Sequence, residues 1–495
     1  MTSLDLALVG NGTLSALIDE TASVLWCCLP RLDGDPVFCS LLGGDHAEER
    51  PGGYRIRLRN LIRREQSYLP DTPILVTRLY DAFGGAIEIT DFAPRYDDGE
   101  LKAPSILVRQ IRPLSGRPHI SITLTPAGRY GCDMRSARSD GDGMIYDGEP
   151  AVRLATNAPV GVVTAGEPLV VDRTIAIAIG TEKIEGDAAE YGTRMLQRTT
   201  DYWRWWTTSL SAPAQWRDAV VRAAITLELH VYQNTGAIIA ATTTSIPEYP
   251  NSGRTWDYRY CWPRDAYFTV DALCRVGDVR AIERYLAFLL GVAGRTNDSR
   301  LVPIYDIDGG PIPVEHVADC LPGYRGMGPV RIGNKASEQN QNDLYGEAVL
   351  TAEALFTPAR ITGKGDPALF AALERFGDHA VRLYREPDAG LWELRGTGRV
   401  HTFSSVMCWV ACDRLARIAA QIGLAERASY WKTHAGAMHR VISERAWNPE
   451  LRSFVASFGG ADLDASLLLL HELGFLAAAV AHLTNFHRRV ASHIR

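Results

Sequence analysis

Two short segments of the chain collect side chains that could bind a sugar. Residues 254–266 hold four aromatic and five charged side chains just before a predicted helix. Aromatic rings offer apolar faces to a pyranose, and Arg264 with Asp265 can pair with its hydroxyl groups in fixed directions. The same composition suits an aromatic loop packed on the core, with an Arg–Asp ion pair at the helix start. Residues 333–347 are rich in amides and carboxylates and lead into another predicted helix. Such side chains can bind hydroxyl groups, but they are also common at the start of helices.

A third segment could donate a proton. In residues 388–396, Glu393 stands between Trp392 and Leu394 in a loop before a helix. A carboxyl flanked by apolar side chains loses hydration, which favours its protonated form and suits a proton donor. The alternative is a surface carboxylate paired with Arg395.

Composition narrows the class of protein. The 495 residues are 46% hydrophobic and 22% charged, with 52 basic against 58 acidic side chains and a net charge of −6. These values exclude a disordered or collagen-like chain, and they show no excess of basic residues of the kind that nucleic-acid-binding proteins carry. We expect no membrane partner, because no stretch of 18 apolar residues occurs, and no secretory signal, because the start lacks a basic segment before an apolar run. Serine hydrolase, zincin, phosphate-loop and dinucleotide motifs are also missing from the sequence.

The nine cysteines follow no regular pairing. This pattern predicts reduced thiols and a cytoplasmic location. Cys408 and Cys412 lie four residues apart on a predicted helix, but no further His or Cys pair completes a metal site. We therefore expect no metal and no cofactor.

Hydrophobic periodicity divides the chain into two parts. Alternating segments at residues 86–90, 119–125 and 174–179, separated by glycine turns, predict an antiparallel β-sandwich with one solvated face over the first ~190 residues. Beyond them the period changes to three or four, which predicts helical hairpins in a ring or solenoid. The predicted helices cover residues 213–231, 264–276, 278–294, 343–357, 369–383, 411–423, 428–442 and 463–475. Long loops at 236–263 and 295–342 are where such a frame usually carries a site.

Taken together, these segments resemble glycoside hydrolase family 15, the group of glucoamylases and bacterial trehalases. The opening resembles the trehalase-like N-terminal domain of that family, and four further segments match its barrel loops in order, so that five ordered motifs span residues ~5 to 475. The matching segments are 8–19, 26–31, 256–265, 323–326 with 329–334, 338–347 and 390–396.

The resemblance implies a mixed fold, β then α, in which an antiparallel β-sandwich precedes an (α/α)6 barrel of helical hairpins. The implied domains are a sandwich at 1–190, a linker helix at 191–215, an incomplete catalytic barrel at 216–475 and an atypical basic tail at 476–495. The implied activity is exo-acting, inverting hydrolysis of a terminal α-glucosidic bond, in malto-oligosaccharides or in trehalose.

The family's functional residues carry over onto matching positions. Glu393 would be the general acid, and Arg264 with Asp265 would hold the hydroxyls of the terminal glucose. The remaining implied substrate-binding residues would line the pocket; they are Tyr258, Tyr260, Trp262, Gln341, Asp343 and Trp392. Inversion also needs a second carboxylate about 6.5–9.5 Å from the first, which activates a water molecule.

The C-terminal residues depart from the family pattern. About eight helices can be counted where twelve are expected, and residues 476–495 contain no acidic residue. We therefore expect truncation or a shifted reading frame, an empty general-base position and a rate lower by about 10²–10⁴-fold. Glu444, Glu450, Asp462 or Asp464 could in principle substitute. An incomplete ring would leave an apolar seam open, which favours association into a homo-oligomer.

Two other functions remain open from the sequence. The first is a non-catalytic carbohydrate-binding remnant of the same family, which would bind sugar without hydrolysing it. The second is another enzyme built on a helical barrel, such as a polysaccharide lyase. A lyase would need a Tyr or His base beside a basic cluster, whereas the aromatic loop favours a neutral sugar.

Overall fold

The computed structural model describes residues 3–47, 50–141, 143–296, 298–356, 366–396 and 398–476. The chain forms two compact units. The first comprises Met1–Tyr260, Arg275–Asp278 and Pro313–Asn334, and the second comprises Cys261–Cys274, Val279–Ile312 and Lys335–Arg495. The domain boundaries expected near residues 190 and 215 stay a prediction.

The first unit carries most of the strands. In chain order the strands are β1 (Ala7–Gly10), β2 (Ser15–Ile18), β3 (Val24–Leu29), β4 (Asp35–Phe38), β5 (Gly53–Leu58), β6 (Leu61–Tyr68), β7 (Leu75–Asp81), β8 (Ala86–Phe92), β9 (Tyr96–Asp97), β10 (Leu101–Lys102), β11 (Ile106–Ser115), β12 (His119–Thr125), β13 (Ala127–Gly128), β14 (Asp133–Met134), β15 (Ala137–Asp140), β16 (Gly143–Tyr146), β17 (Val152–Thr156), β18 (Leu169–Val170), β19 (Ile175–Gly180), β20 (His316–Val317), β21 (Arg331–Ile332), β22 (Trp447–Asn448) and β23 (Ser453–Phe454).

Two large antiparallel sheets share one hydrophobic core in this unit. One has the order β1-β2-β3-β5-β12-β18 with β4 beside β3, and the other has the order β15-β16-β17-β19-β11-β8-β7-β6. Alternate residues of β12, Ile120, Ile122 and Leu124, are buried in the core that both sheets line. The expected architecture, antiparallel strands followed by helices, is confirmed.

The nine α-helices are distributed over both units. They are α1 (Val160–Ala165), α2 (Ala188–Thr208), α3 (Arg217–Glu228), α4 (Pro263–Arg275), α5 (Arg280–Ala293), α6 (Leu344–Phe356), α7 (Pro367–Leu383), α8 (Thr402–Gln421) and α9 (Ala425–Arg445), as found in the described residues. In the second unit, α8 packs against α6, α7 and α9.

The expectation of one solvated sheet face is wrong for the larger sheet at β19. Every residue of β19 is buried, because its two faces are both covered. Ile175, Ile177 and Ile179 enter the core between the sheets. On the opposite face Ala178 packs with Tyr191 and other residues of α2.

Two helix predictions also differ from the structure. Helix α8 begins at Thr402, well before the predicted residue 411. The periodicity missed this start because the first eleven residues of the helix are all buried and show no alternation of apolar and polar faces. Residues 463–475 do not form a long helix; a 3-10 helix at Ala465–Leu470 begins after Asp464, whose side chain accepts from Ser466 N.

The expectation that all cysteines are reduced is wrong. Cys132 and Cys320, both in the first unit, form a disulfide across 188 residues of chain. The other seven cysteines take no part in a disulfide, Cys408 and Cys412 among them. Over the described ranges, no helix combines the length and apolarity needed to cross a bilayer.

Candidate active site

Arg264 is the centre of a polar cluster in the second unit. It lies in the first turn of α4, which Pro263 opens at a position where no backbone N–H is needed. Its Nη1 donates to Gln341 Oε1 at 2.8 Å, and its Nη2 donates to Glu393 Oε1 at 3.2 Å. Only 12% of the Arg264 side chain is exposed. Protein groups therefore hold the guanidinium in one orientation before any ligand arrives.

Glu393 is held by three N–H donors on one carboxyl oxygen. Trp262 Nε1, Arg264 Nη2 and Gln341 Nε2 donate to Oε1 at 2.6, 3.2 and 3.3 Å. No described residue donates a hydrogen bond to Oε2. The backbone of Glu393 adopts a positive φ of 55° at the end of a turn, where its N–H donates to Gly390 O at 3.1 Å. One oxygen is thus fixed by the protein and the other is left for a ligand.

The apolar environment expected around Glu393 is wrong. Trp392 and Leu394 are 54% and 56% exposed, so neither encloses the carboxyl. Glu393 contacts polar N–H groups instead. The indole N–H of Trp392 donates to both carboxylate oxygens of Asp464, at 3.1 and 3.0 Å.

Asp343 and Glu347 form a buried acidic pair beside Arg264. Asp343 precedes α6 and Glu347 lies in its first turn, and the two are 0% and 1% exposed. None of their four carboxylate oxygens has a hydrogen-bond partner in the described part of the chain. Asp343 Oδ2 lies 3.7 Å from Arg264 Nη1, an ion-pair distance.

Burial dominates the protonation of this pair. Loss of hydration raises the pKa of Asp343 to about 6, although the Arg264 guanidinium opposes the shift. The pKa of Glu347 is raised well above its ordinary value by burial and by Asp343. For Arg264, burial lowers the pKa, but the carboxylates of Asp343, Glu347, Asp265 and Glu393 outweigh it and raise the pKa. Burial therefore favours the protonated form of Asp343 and Glu347, whereas the surrounding carboxylates favour the charged guanidinium of Arg264.

The other residues expected in the site differ in exposure. Asp265 follows Arg264 in α4, with Oδ2 at 3.7 Å from Arg264 Nε and 48% of its side chain exposed, so it can still accept from a ligand. Trp262 and Tyr260 are each only 2% exposed. Tyr258 and Tyr260 belong to the first unit, where their backbone oxygens accept from Ala241 and Ala240. The second unit brings together Trp262, Arg264, Gln341, Asp343 and Glu393.

Part of the aromatic segment is structural. Asp257 and Arg259 form a fully buried ion pair at 2.8 Å in the first unit, and Arg259 also donates to Gly34 O and Tyr130. The alternative of an internal Arg–Asp pair therefore applies to these two residues, while Arg264 lies in the polar cluster.

Sequence reasoning missed Glu347 and Gln339. Glu347 ends the amide-rich segment 333–347 and lies one helical turn after Asp343, a spacing that signals a shared helix face. Gln339 accepts from Gln341 Nε2 at 3.2 Å and donates to the backbone oxygen of Glu393 at 3.2 Å. These two hydrogen bonds of Gln339 connect the loop of Glu393 to the segment that precedes α6.

Comparison with known proteins identifies the family. The model of glycosyl hydrolases family 15 matches residues 214–494, more than half of the chain. The chain belongs to glycosyl hydrolase family 15. A trehalase-like N-terminal domain model matches residues 4–171. Because the family match runs to residue 494, the expectation that the likeness ends near Phe475 is wrong.

Two similar proteins are 30–31% identical to the chain over most of its length. A protein named trehalase from Thermoplasma volcanium is 30% identical over 482 residues, which cover 95% of this chain and 75% of that protein. A protein named trehalase from Mycobacterium tuberculosis is 31% identical, with 95% and 73% covered. A crystal structure of a bacterial glucoamylase complexed with acarbose superposes with a TM-score of 0.68 at 13% identity, covering 98% of this chain and 78% of that one. This last likeness shows the fold.

The expected loss of a general base concerns residues 476–495, and residues 477–495 lie outside the described residues. Among the four substitutes considered, Asp464 accepts from Trp392 and Ser466, and Asp462 lies 3.6 Å from Arg399. Glu444 and Glu450 are exposed. Within the part of the chain that the structure describes, no group of three or more His, Cys, Asp or Glu is arranged to bind a metal ion.

Proposed function

We propose that this family 15 enzyme is an inverting, exo-acting α-glucosidase whose substrate is α,α-trehalose. The observation that carries the proposal is the contact between Glu393 and Arg264, 3.2 Å apart in a partly buried cluster. The choice of trehalose rests on the relatives that are 30–31% identical and named trehalase.

In this mechanism Glu393 donates the proton that the leaving sugar needs. A proton on Oε2 passes to the glycosidic oxygen as the bond from that oxygen to the anomeric carbon breaks. Water attacks the same carbon from the opposite face and gives up a proton to a base, so the configuration inverts. Fixing Oε1 by three donors holds Oε2 in one direction, which reduces the cost of aligning the acid with the substrate.

Arg264 and Asp265 would recognise the terminal glucose. Asp265 is the exposed acceptor of the two, and Arg264 supplies charge that its protein contacts already orient. Two of the proposed pocket residues, Gln341 and Trp262, would hold Glu393 rather than contact the sugar alone, because their donors end on its carboxyl.

The experiment is hydrolysis of trehalose followed by proton NMR. An inverting enzyme releases one α-glucose and one β-glucose from trehalose before mutarotation equalises them, and β-glucose from maltotriose. Glu393→Gln should lower turnover by about 10²–10⁴-fold while trehalose binding, measured by calorimetry, persists. Glu386→Gln, an exposed carboxylate of a neighbouring loop, is the matched control and should retain activity.

Each outcome is decisive. Hydrolysis of maltotriose without trehalose would replace the substrate proposal by a glucoamylase-type activity. Trehalose binding without any hydrolysis would favour the carbohydrate-binding remnant. Full activity in Glu393→Gln would refute the assignment of the acid.

We also keep a cytoplasmic location and self-association as proposals. Seven cysteines outside any disulfide support a reducing compartment, whereas the Cys132–Cys320 disulfide opposes it. Cell fractionation tests the first proposal and size-exclusion chromatography with light scattering tests the second.

A further inference from the structure

Asp388 lies at the base of the loop that carries Glu393. Its backbone pairs with that of Arg399 as an antiparallel β-bridge, in which Asp388 N donates to Arg399 O at 2.9 Å and Arg399 N donates to Asp388 O at 3.1 Å. This bridge closes the loop that residues 389–398 form. Asp388 is only 3% exposed. Its carboxylate is therefore buried in the protein, and the proposed mechanism gives it no direct contact with the sugar.

The carboxylate of Asp388 accepts a hydrogen bond from the segment that precedes α6. Asn342 N donates to Asp388 Oδ2 at 2.9 Å. The Asn342 side chain donates in turn to Leu383 O at 3.3 Å and to Glu386 O at 3.2 Å. Leu383 is the last residue of α7, and the final carbonyl groups of a helix lack partners inside the helix. We call these three hydrogen bonds the Asn342–Asp388 link.

The Asn342–Asp388 link adjoins a residue that orients the acid. Gln341 precedes Asn342 in the chain, and its Nε2 donates to Glu393 Oε1 at 3.3 Å. Its own side-chain oxygen accepts from Arg264 Nη1 at 2.8 Å. Because consecutive peptide units are rigid and planar, a shift of the Asn342 backbone also moves Gln341. Asp388 thereby connects the base of the Glu393 loop to the side chain that holds the Glu393 carboxyl.

We propose that Asp388 is a positioning residue, which fixes Gln341 relative to Glu393 through Asn342 and so aligns the acid with the glycosidic oxygen. This inference rests on the proposed function, in which Glu393 donates the proton. The link needs an oxygen acceptor at one place rather than a charge, because its donor is a neutral backbone N–H. Burial raises the pKa of the Asp388 carboxyl, although the hydrogen bond from Asn342 N opposes the shift. A neutral side chain with an oxygen at the same place should therefore serve as well.

Three substitutions separate the place of this oxygen from its charge. Asp388→Ala removes the acceptor of Asn342 N. Asp388→Asn keeps an oxygen at the same distance from the backbone without the charge, and Asp388→Glu keeps the charge but moves the oxygens one methylene further out. Ser405→Ala is the matched control, because Ser405 is 1% exposed and its Oγ donates to Tyr384 O, just after α7, at 2.7 Å and to His401 O at 3.0 Å. It removes a buried side-chain hydrogen bond from the same end of α7.

The assay compares kcat for trehalose with kcat for α-glucosyl fluoride, because a fluoride ion leaves with little protonation whereas a sugar oxygen needs the acid. Asp388→Ala and Asp388→Glu should lower kcat on trehalose about 10- to 100-fold, the cost of a displaced catalytic group, with a smaller loss on the fluoride. Asp388→Asn should retain most of the activity on both substrates. Ser405→Ala should keep the ratio of the unmodified enzyme, and Glu393→Gln supplies the ratio for complete loss of the acid. Thermal unfolding shows which variants are folded; if Asp388→Ala is not, the Asn and Glu variants decide.

Equal losses on both substrates in the Ala and Glu variants, or an Asn variant as impaired as the Glu variant, would overturn the inference. The same selective loss in Ser405→Ala would also overturn it, since any loosening of this region would then suffice. An unmodified enzyme that cleaves maltotriose but not trehalose refutes the proposed substrate alone, and maltotriose then takes the place of trehalose in the comparison. An unmodified enzyme that cleaves neither refutes the proposed function and the positioning role together.

Discussion

Glu347→Gln should stabilise the protein in a manner that depends on pH. Glu347 is 1% exposed and neither carboxyl oxygen has a hydrogen-bond partner in the described residues. Burial and the neighbouring Asp343 raise its pKa well above the ordinary value of 4.5. The folded protein therefore keeps a proton on Glu347 at a pH where the unfolded chain has released it. A neutral glutamine of the same size avoids this proton uptake.

The pH dependence follows from the raised pKa of Glu347 in the folded protein. A raised pKa favours folding fully below the unfolded value, and the advantage falls as the pH rises above it. Above pH 4.5, uptake of one proton lowers the unfolding free energy of the unmodified protein relative to Glu347→Gln by at most about 1.4 kcal/mol per pH unit, until the pH passes the raised pKa of the folded state.

Differential scanning calorimetry of both proteins between pH 4 and 7.5 measures this difference. The two midpoints should agree near pH 4 and diverge as the pH rises, because all other titrating groups are shared. Glu386→Gln replaces an exposed carboxylate and should show no such divergence. A difference that is constant with pH, or a glutamine variant that is less stable at pH 7, would refute the proton-uptake argument.

Three further predictions follow from the cluster and the disulfide. Glu393→Gln should lower kcat on trehalose by about 10²–10⁴-fold in steady-state assays, because an amide cannot act as a general acid, and an unchanged kcat would exclude the role. Arg264→Lys should lower kcat/KM by about 10-fold or more, because an ammonium group cannot contact Gln341 and Glu393 together as the planar guanidinium does. An unchanged kcat/KM in this variant would contradict the argument. Thiol titration in denaturant should count seven cysteines before reduction and nine after it, whereas nine thiols before reduction would rule the disulfide out. The double variant Cys132→Ala with Cys320→Ala should lower the free energy of unfolding by up to about 5 kcal/mol, because the disulfide closes a loop of 188 residues.

The order of strands and helices could be read from the sequence because hydrophobic periodicity reports one buried face. That reasoning succeeds for β12, where Ile120, Ile122 and Leu124 alternate with less buried residues. It fails for the first half of α8, which is buried on all sides and leaves no pattern to read. At 174–179 it located β19 but wrongly gave that strand a solvated face, because Ala178 packs against α2. The disulfide was missed because two cysteines 188 residues apart carry no local signal.

The residues of the candidate site could be predicted in part from the sequence, but their contacts could not. Arg264 and Glu393 were singled out by residue type and family resemblance, and the structure brings them to 3.2 Å. The expected apolar surroundings of Glu393 came from its neighbours in the chain, yet the contacts come from Trp262 and Gln341, which are 131 and 52 residues away. Neighbours in sequence say little about the surroundings of a side chain in a turn, where consecutive residues point in different directions.

The charges around Arg264 link the stability of the second unit to its chemistry. One guanidinium faces four carboxyl groups, those of Asp265, Asp343, Glu347 and Glu393, so complete ionisation would leave three uncompensated negative charges in a largely buried cluster. Burial makes such an excess expensive, and the least hydrated acids take up protons instead. Asp343 and Glu347 are the most buried, and burial raises the pKa of both, to about 6 for Asp343, while Arg264 remains charged. Removing the charge at Glu347 should therefore spare the orientation of Arg264, whereas removing Arg264 would leave four acids to repel one another.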